Sequence, residues 1–165
     1  NNDLANNFGN LCQRVFSFIE KNCGGKLPRP ADLQKEDINL LDNLTSKLPL
    51  LISYMDNQDL NNYIKTVVDF SFDANKYFND LQPWAVKKTN IDRMNTILFT
   101  IVSQIKNISI LLNPIIPNSS DKILDIMNLK DNDRVITAIN KDDIFNHDLE
   151  FNKTSILFKK IEDDN

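Results

Sequence analysis

The sequence predicts an all-α domain: a bundle of about five helices over residues 1–127 and an irregular, wrapping tail over 128–165. Three observations carry that prediction. Apolar residues recur at helical spacing through most of the first 127 residues, and no segment shows the two-residue alternation of a half-buried strand. Helix-stopping residues, Gly24-Gly25, Pro83, Pro114 and Pro117, fall between the periodic runs. At 165 residues, 41% of them hydrophobic, the chain is long enough for one domain with its own core.

The first helix runs from about Asp3 to Asn22. Leu4, Phe8, Leu11, Val15 and Phe18 or Ile19 form its apolar stripe; Asn7, Asn10, Arg14, Ser17 and Lys21 form its polar one. Gly24-Gly25 caps its end. The second helix begins near Asp32 as N-cap, carries Leu33, Ile38, Leu41 and Leu44, and is interrupted at Pro49 before Leu50 to Met55. The third starts near Asp59, turns Leu60, Ile64, Val67, Val68, Phe72 and Phe78 inward, and ends before Pro83. A basic connector, Lys87-Lys88-Thr89-Asn90, leads to a fourth helix from about Ile91 to Leu112. It is apolar over so wide an arc that it should be the most buried. Asn118-Ser119-Ser120 then cap a short fifth helix through Ile123, Leu124 and Met127.

Several chemistries find no support. The longest apolar stretches are too short to span a membrane, and the polar N-terminus does not read as a signal peptide. The opening at Asn1, with helical periodicity already running, reads as a fragment of something longer. Cys12 and Cys23, if both lie on the first helix, stand about 16 Å apart at 1.5 Å per residue, too far for a disulfide. Two free thiols fit a reducing, cytoplasmic setting. The three glycines form no phosphate loop, and no Cys/His spacing suggests a metal. His147 and the acidic pairs Asp142-Asp143 and Asp163-Asp164 fall in the polar tail, where nothing would shift a pKa for catalysis. No catalytic residue and no metal ligand is expected.

What remains is recognition chemistry. Trp84, the only tryptophan, follows Pro83 at a helix–helix corner, where a flat ring can be offered outward. Asn10 and Arg14 lie four residues apart and share a helix face. A stacking ring, an amide and a guanidinium are the parts needed to read an unstacked nucleobase. The net charge is −4, yet residues 1–30 carry four cations against two anions and residues 71–110 five against three. The segments holding Asn10, Arg14 and Trp84 are therefore locally basic on an acidic chain.

Taken together, Asp3-Leu4-Ala5-Asn6-Asn7-Phe8-Gly9-Asn10-Leu11 with Arg14 and Gly24-Gly25, Asn75-Lys76-Tyr77-Phe78 with Pro83-Trp84-Ala85 and Lys88-Thr89, and Leu112-Asn113-Pro114-Ile115-Ile116-Pro117 with Lys122-Ile123-Leu124 resemble the C-terminal anticodon-binding domain of methionyl-tRNA synthetases, class I enzymes. Leu157-Phe158 and Ile161-Glu162 resemble its closing segment, although Lys159-Lys160 stands where that family usually has Pro-Arg. The resemblance implies a tRNA(Met) anticodon stem-loop as partner, no DNA, and anticodon readers at Asn10, Arg14 and Trp84 with Pro83 bracing the corner. Lys87 and Lys88 would meet backbone phosphates. It implies a parent enzyme whose catalytic domain, elsewhere in the same chain, uses ATP and Mg to attach methionine; this fragment would hold no cofactor. Two other readings stay open: the anticodon-binding domain of another class I synthetase, and a protein-binding helical scaffold.

Overall fold

A computed structural model describes residues 2–139 and 149–152. Among the described residues there are seven α-helices: α1 (Asn2–Cys23), α2 (Lys35–Thr45), α3 (Leu48–Asp56), α4 (Leu60–Leu81), α5 (Pro83–Val86), α6 (Ile91–Leu112) and α7 (Pro117–Ile126). The five expected helices are all present. The second is divided into α2 and α3, with Pro49 in the first turn of α3, where its missing N–H leaves no gap. One turn of helix, α5, is added at the Pro83 corner. Two 3₁₀ turns, Asp131–Asp133 and Ile136–Ala138, follow α7. Among the described residues the only extended pairing is an isolated bridge between Lys26 and Glu150.

The bundle is built around α6, which packs against α1, α2, α4, α5 and α7. Sixteen of its 22 residues are buried. By length and composition α6 is apolar enough to cross a membrane, but its burial marks it as the core helix. Its buried hydroxyls are satisfied locally: Thr100 and Ser109 donate to the carbonyls of Thr96 and Ile105, one turn back. Asn90 caps it by accepting from the Arg93 N–H at 3.0 Å. Tyr63 ties α4 to the far end of α6, donating to the Leu111 carbonyl at 2.5 Å.

Three local expectations change. Asp32 does not cap α2; Gln34 does, and the Asp37 carboxylate reaches back to accept from the Gln34 N–H at 2.8 Å. The inner face of α4 is Tyr63, Val67, Phe70, Ser71, Ala74, Tyr77 and Phe78, whereas Leu60 and Phe72 are exposed. Small and hydroxyl-bearing residues let α4 approach its neighbours, which apolar character alone does not indicate. Ser119 and Ser120 lie inside α7, buried, because Pro117 already starts that helix; the Ser120 hydroxyl donates to the Ser109 carbonyl of α6. The His147, Asp142-Asp143, Asp163-Asp164 and Leu157–Glu162 positions lie outside the described residues.

Candidate nucleic-acid interface

The corner that carries Trp84 is set by backbone geometry. α4 stops at Leu81 because Gln82 takes a left-handed conformation (φ 48°) and Pro83 follows. Pro83 opens the single turn of α5, with Ala85 and Val86 N–H groups donating to the Gln82 carbonyl at 2.9 and 3.0 Å. Pro83 is itself buried, so it serves the corner as a brace and presents no surface. Trp84 stands out from it, 38% exposed.

α1 meets this corner through α4. Phe78, buried, packs edge-on against the Trp84 ring with centroids 5.4 Å apart and planes at 70°. The Arg14 guanidinium lies 5.2 Å from the centre of the same Phe78 ring, a cation–π distance. Arg14 Nη2 also donates to Asn79 Oδ1 at 2.7 Å. The guanidinium has five N–H donors, and Asn79 takes one of them. Guanidinium and indole are thus no farther apart than those two ring spacings laid end to end. Asn10, exposed, stands one helical turn before Arg14 on the same face, about 6 Å along the axis. A second link closes the other side of the corner: Lys87 Nζ donates to Asn22 Oδ1 near the end of α1 at 2.9 Å. Lys88 is exposed.

Arg14 and Trp84 therefore lie on either side of Phe78, and Asn10 shares the helix face of Arg14. The sequence marks Phe78 only as an inward residue of its helix and gives Asn79 no role; that the two orient the guanidinium depends on a partner on α1 some 65 residues away in the chain. Tyr77 supports the corner from inside the bundle. It is buried and donates to Asp37 Oδ1 at 2.5 Å, while Arg93 grips Asp37 with two N–H groups at 2.6 and 3.1 Å. Burial opposes the charge on Asp37, but hydrogen bonds from Arg93, Tyr77 and the Gln34 N–H outweigh it and hold the carboxyl below its ordinary range. Burial and the neighbouring Asp37 carboxylate push the Tyr77 hydroxyl upward in turn. This network locks α2, α4 and α6 behind the corner. The apolar stripe expected for this helix, Leu33, Ile38, Leu41 and Leu44, did not reveal it: Leu33 and Ile38 are exposed, and the buried face is Asp37, Leu40 and Leu44.

Among the described residues no group of three or more His, Cys, Asp or Glu could hold a metal ion. Cys12 is wholly buried on α1, and desolvation raises its thiol well above the usual range.

The family model for the anticodon binding domain of methionyl tRNA ligase matches residues 27–165. The chain belongs to that family. It is 39% identical over 127 residues to a methionine–tRNA ligase of Brucella suis, covering 77% of this chain and 25% of that protein. It is 34% identical over 143 residues to the enzyme of Mycobacterium leprae, covering 84% and 27%. The anticodon-binding domain thus spans about a quarter of the curated relatives it matches. Its fold superposes on the apo methionyl-tRNA synthetase of Mycobacterium tuberculosis with a TM-score of 0.85 at 29% identity, over 92% of this chain and 31% of that one. The same enzyme with bound methionyl-adenylate gives 0.79 at 31% identity, over 84% and 28%.

Proposed function

We propose that this domain reads the CAU anticodon of tRNA(Met), so that a catalytic domain elsewhere in the parent chain charges the correct tRNA with methionine in the cytoplasm. The ATP and Mg of that reaction belong to the catalytic portion. The observation that supports the reading best is the Phe78 bridge, which holds the Arg14 guanidinium and the exposed Trp84 ring on one side of the bundle.

Each side chain then has a physical task. Trp84 stacks on the first anticodon base once the loop splays it out, a contact worth about 1–3 kcal/mol that tolerates any base. Discrimination falls to hydrogen bonds. Cytosine offers acceptors at O2 and N3 and a donor at N4. Arg14 supplies only donors, suited to the acceptors. Asn10 both donates and accepts, so it completes an edge pattern that uracil mismatches. A site built for one pattern leaves its polar groups unpaired against the other, and that penalty gives the preference.

The test is binding of anticodon stem-loops that differ only in the first base. The expected result is tighter binding of the cytosine loop, with the preference lost in Arg14→Ala and the affinity for both loops lost in Trp84→Ala. Equal affinity for the two loops, or wild-type affinity in Trp84→Ala, would reject the reading and favour a scaffold without an RNA role.

A further inference from the structure

A second surface lies on the far side of the Lys87–Asn22 link. There α1 finishes at the Gly24-Gly25 turn, both glycines with positive φ (63° and 74°), and the chain doubles back along residues 26–30. Between this return and the first turns of α6 lies a groove of about 380 Å³, lined by Asn22, Lys26, Arg29 and Asn95, with Cys23 and Met94 among its apolar wall. Among the described residues no carboxylate lines it; the acid nearest in the pairing pattern is Glu150, opposite Lys26 across the isolated bridge. The contrast is an open groove of about 440 Å³ between α2 and α4, whose lining holds Glu36, Asp73 and Asp80 against Lys76 alone. On a chain of net charge −4, a groove with two cations and two amides is a departure from the average surface.

Its position is as telling as its charge. Lys26 and Arg29 are exposed and form no salt bridge among the described residues. Asn22, on the rim, is two helical turns beyond Arg14, about 12 Å along the α1 axis. Lys21 lies between them, on the face that carries Asn10 and Arg14. A strand whose base enters at Trp84 and Arg14 can therefore run along the end of α1, past Lys87, into the groove. A guanidinium fork and an ammonium flanked by amide donors suit phosphate oxygens.

We infer that this groove holds the phosphate backbone of the same RNA, with Lys26 and Arg29 each neutralising one phosphate next to the anticodon. The inference rests on the anticodon reading proposed above. Contacts of this kind position the RNA without reading its sequence.

The experiment measures binding of cytosine-first and uracil-first anticodon stem-loops to the 165-residue chain over a series of salt concentrations. The variants are Lys26→Gln/Arg29→Gln and, as a charge-matched control, Lys65→Gln/Lys130→Gln. The groove variant should bind both loops more weakly by the same factor and keep the first-base preference. Its slope of log affinity against log salt should be shallower by about 1.4 to 1.8, the value for two lost phosphate contacts. The control should keep the wild-type slope. An unchanged slope in the groove variant, or an equal loss in the control, overturns the inference while leaving the anticodon reading standing. Absence of any first-base preference in the wild-type chain overturns both, and it is read without the variants.

Discussion

Phe78 is the residue on which the proposed base site turns, and Phe78→Leu isolates its ring from its bulk. Leucine keeps an apolar side chain at a buried position but removes the aromatic surface shared by Arg14 and Trp84. The edge-to-face pair contributes about 0.5–1.5 kcal/mol beyond its buried area, and an exposed cation–π contact about 0.5–1 kcal/mol. The variant should therefore lose roughly 1–2.5 kcal/mol in urea denaturation. RNA binding suffers for a second reason. Arg14 and Trp84 are no longer pre-positioned, so the RNA must order both, at about 0.5–1.5 kcal/mol for each side chain. That corresponds to a loss of roughly 5- to 150-fold in Kd for the cytosine loop. The salt dependence should not change, since no phosphate contact is removed. Wild-type RNA affinity in Phe78→Leu, with stability lowered as calculated, would show that the ring serves the core alone and that the bridge does not preorganise the site.

Three further outcomes follow from the packing. Asp37→Ala leaves the largely buried Arg93 guanidinium without its carboxylate, and should destabilise the fold by about 3–5 kcal/mol in a denaturant titration. Because the folded-state pKa of Asp37 is depressed, its stabilisation is fully present above the unfolded value near 4 and is lost as pH falls through the folded value; the melting temperature of Asp37→Ala should accordingly converge on that of the wild type in acid. At alkaline pH, titrations of opposite sign act. Burial lowers Lys106 to about 8, so between there and the ordinary lysine value the unfolded chain holds the extra proton and the contribution of Lys106 to stability rises with pH, against the opposite contribution of the Cys12 and Cys23 thiols, which burial raises. Above 10 the buried Tyr63, raised to about 12, keeps its proton when folded and loses it when unfolded, so stability should fall. Thermal melts across pH 7–11 check this, and Lys106→Met, lacking the rising contribution, should lose stability faster than the wild type between about pH 8 and 10.

Much of this was legible in the sequence where local rules act alone. The α6 boundaries followed from the basic connector that ends at Asn90 and from the stops at Pro114 and Pro117, and its burial from the width of its apolar arc. The α4 face did not, because Phe72 and Leu60 are apolar yet point to solvent, while Ser71 and Ala74 are buried for their small size. The α2 start was misplaced because the capping interaction comes from Asp37 three residues inside, and no pattern distinguishes Asp32 from Gln34 as its partner. At the site, helix periodicity put Asn10 and Arg14 on one face, and Pro83 put Trp84 at a corner. That the two features meet depends on how α1 crosses the last turn of α4, a tertiary contact carried by Phe78 and Asn79.

The single tryptophan makes the most direct measurement available. Titrating the chain with cytosine-first and uracil-first anticodon stem-loops while following Trp84 emission reports stacking and affinity in one curve. Saturable quenching by the cytosine loop, at a concentration well below that needed for the uracil loop, is the predicted result. RNA that binds without altering the emission, or that quenches equally at equal concentrations whichever base comes first, would contradict the account.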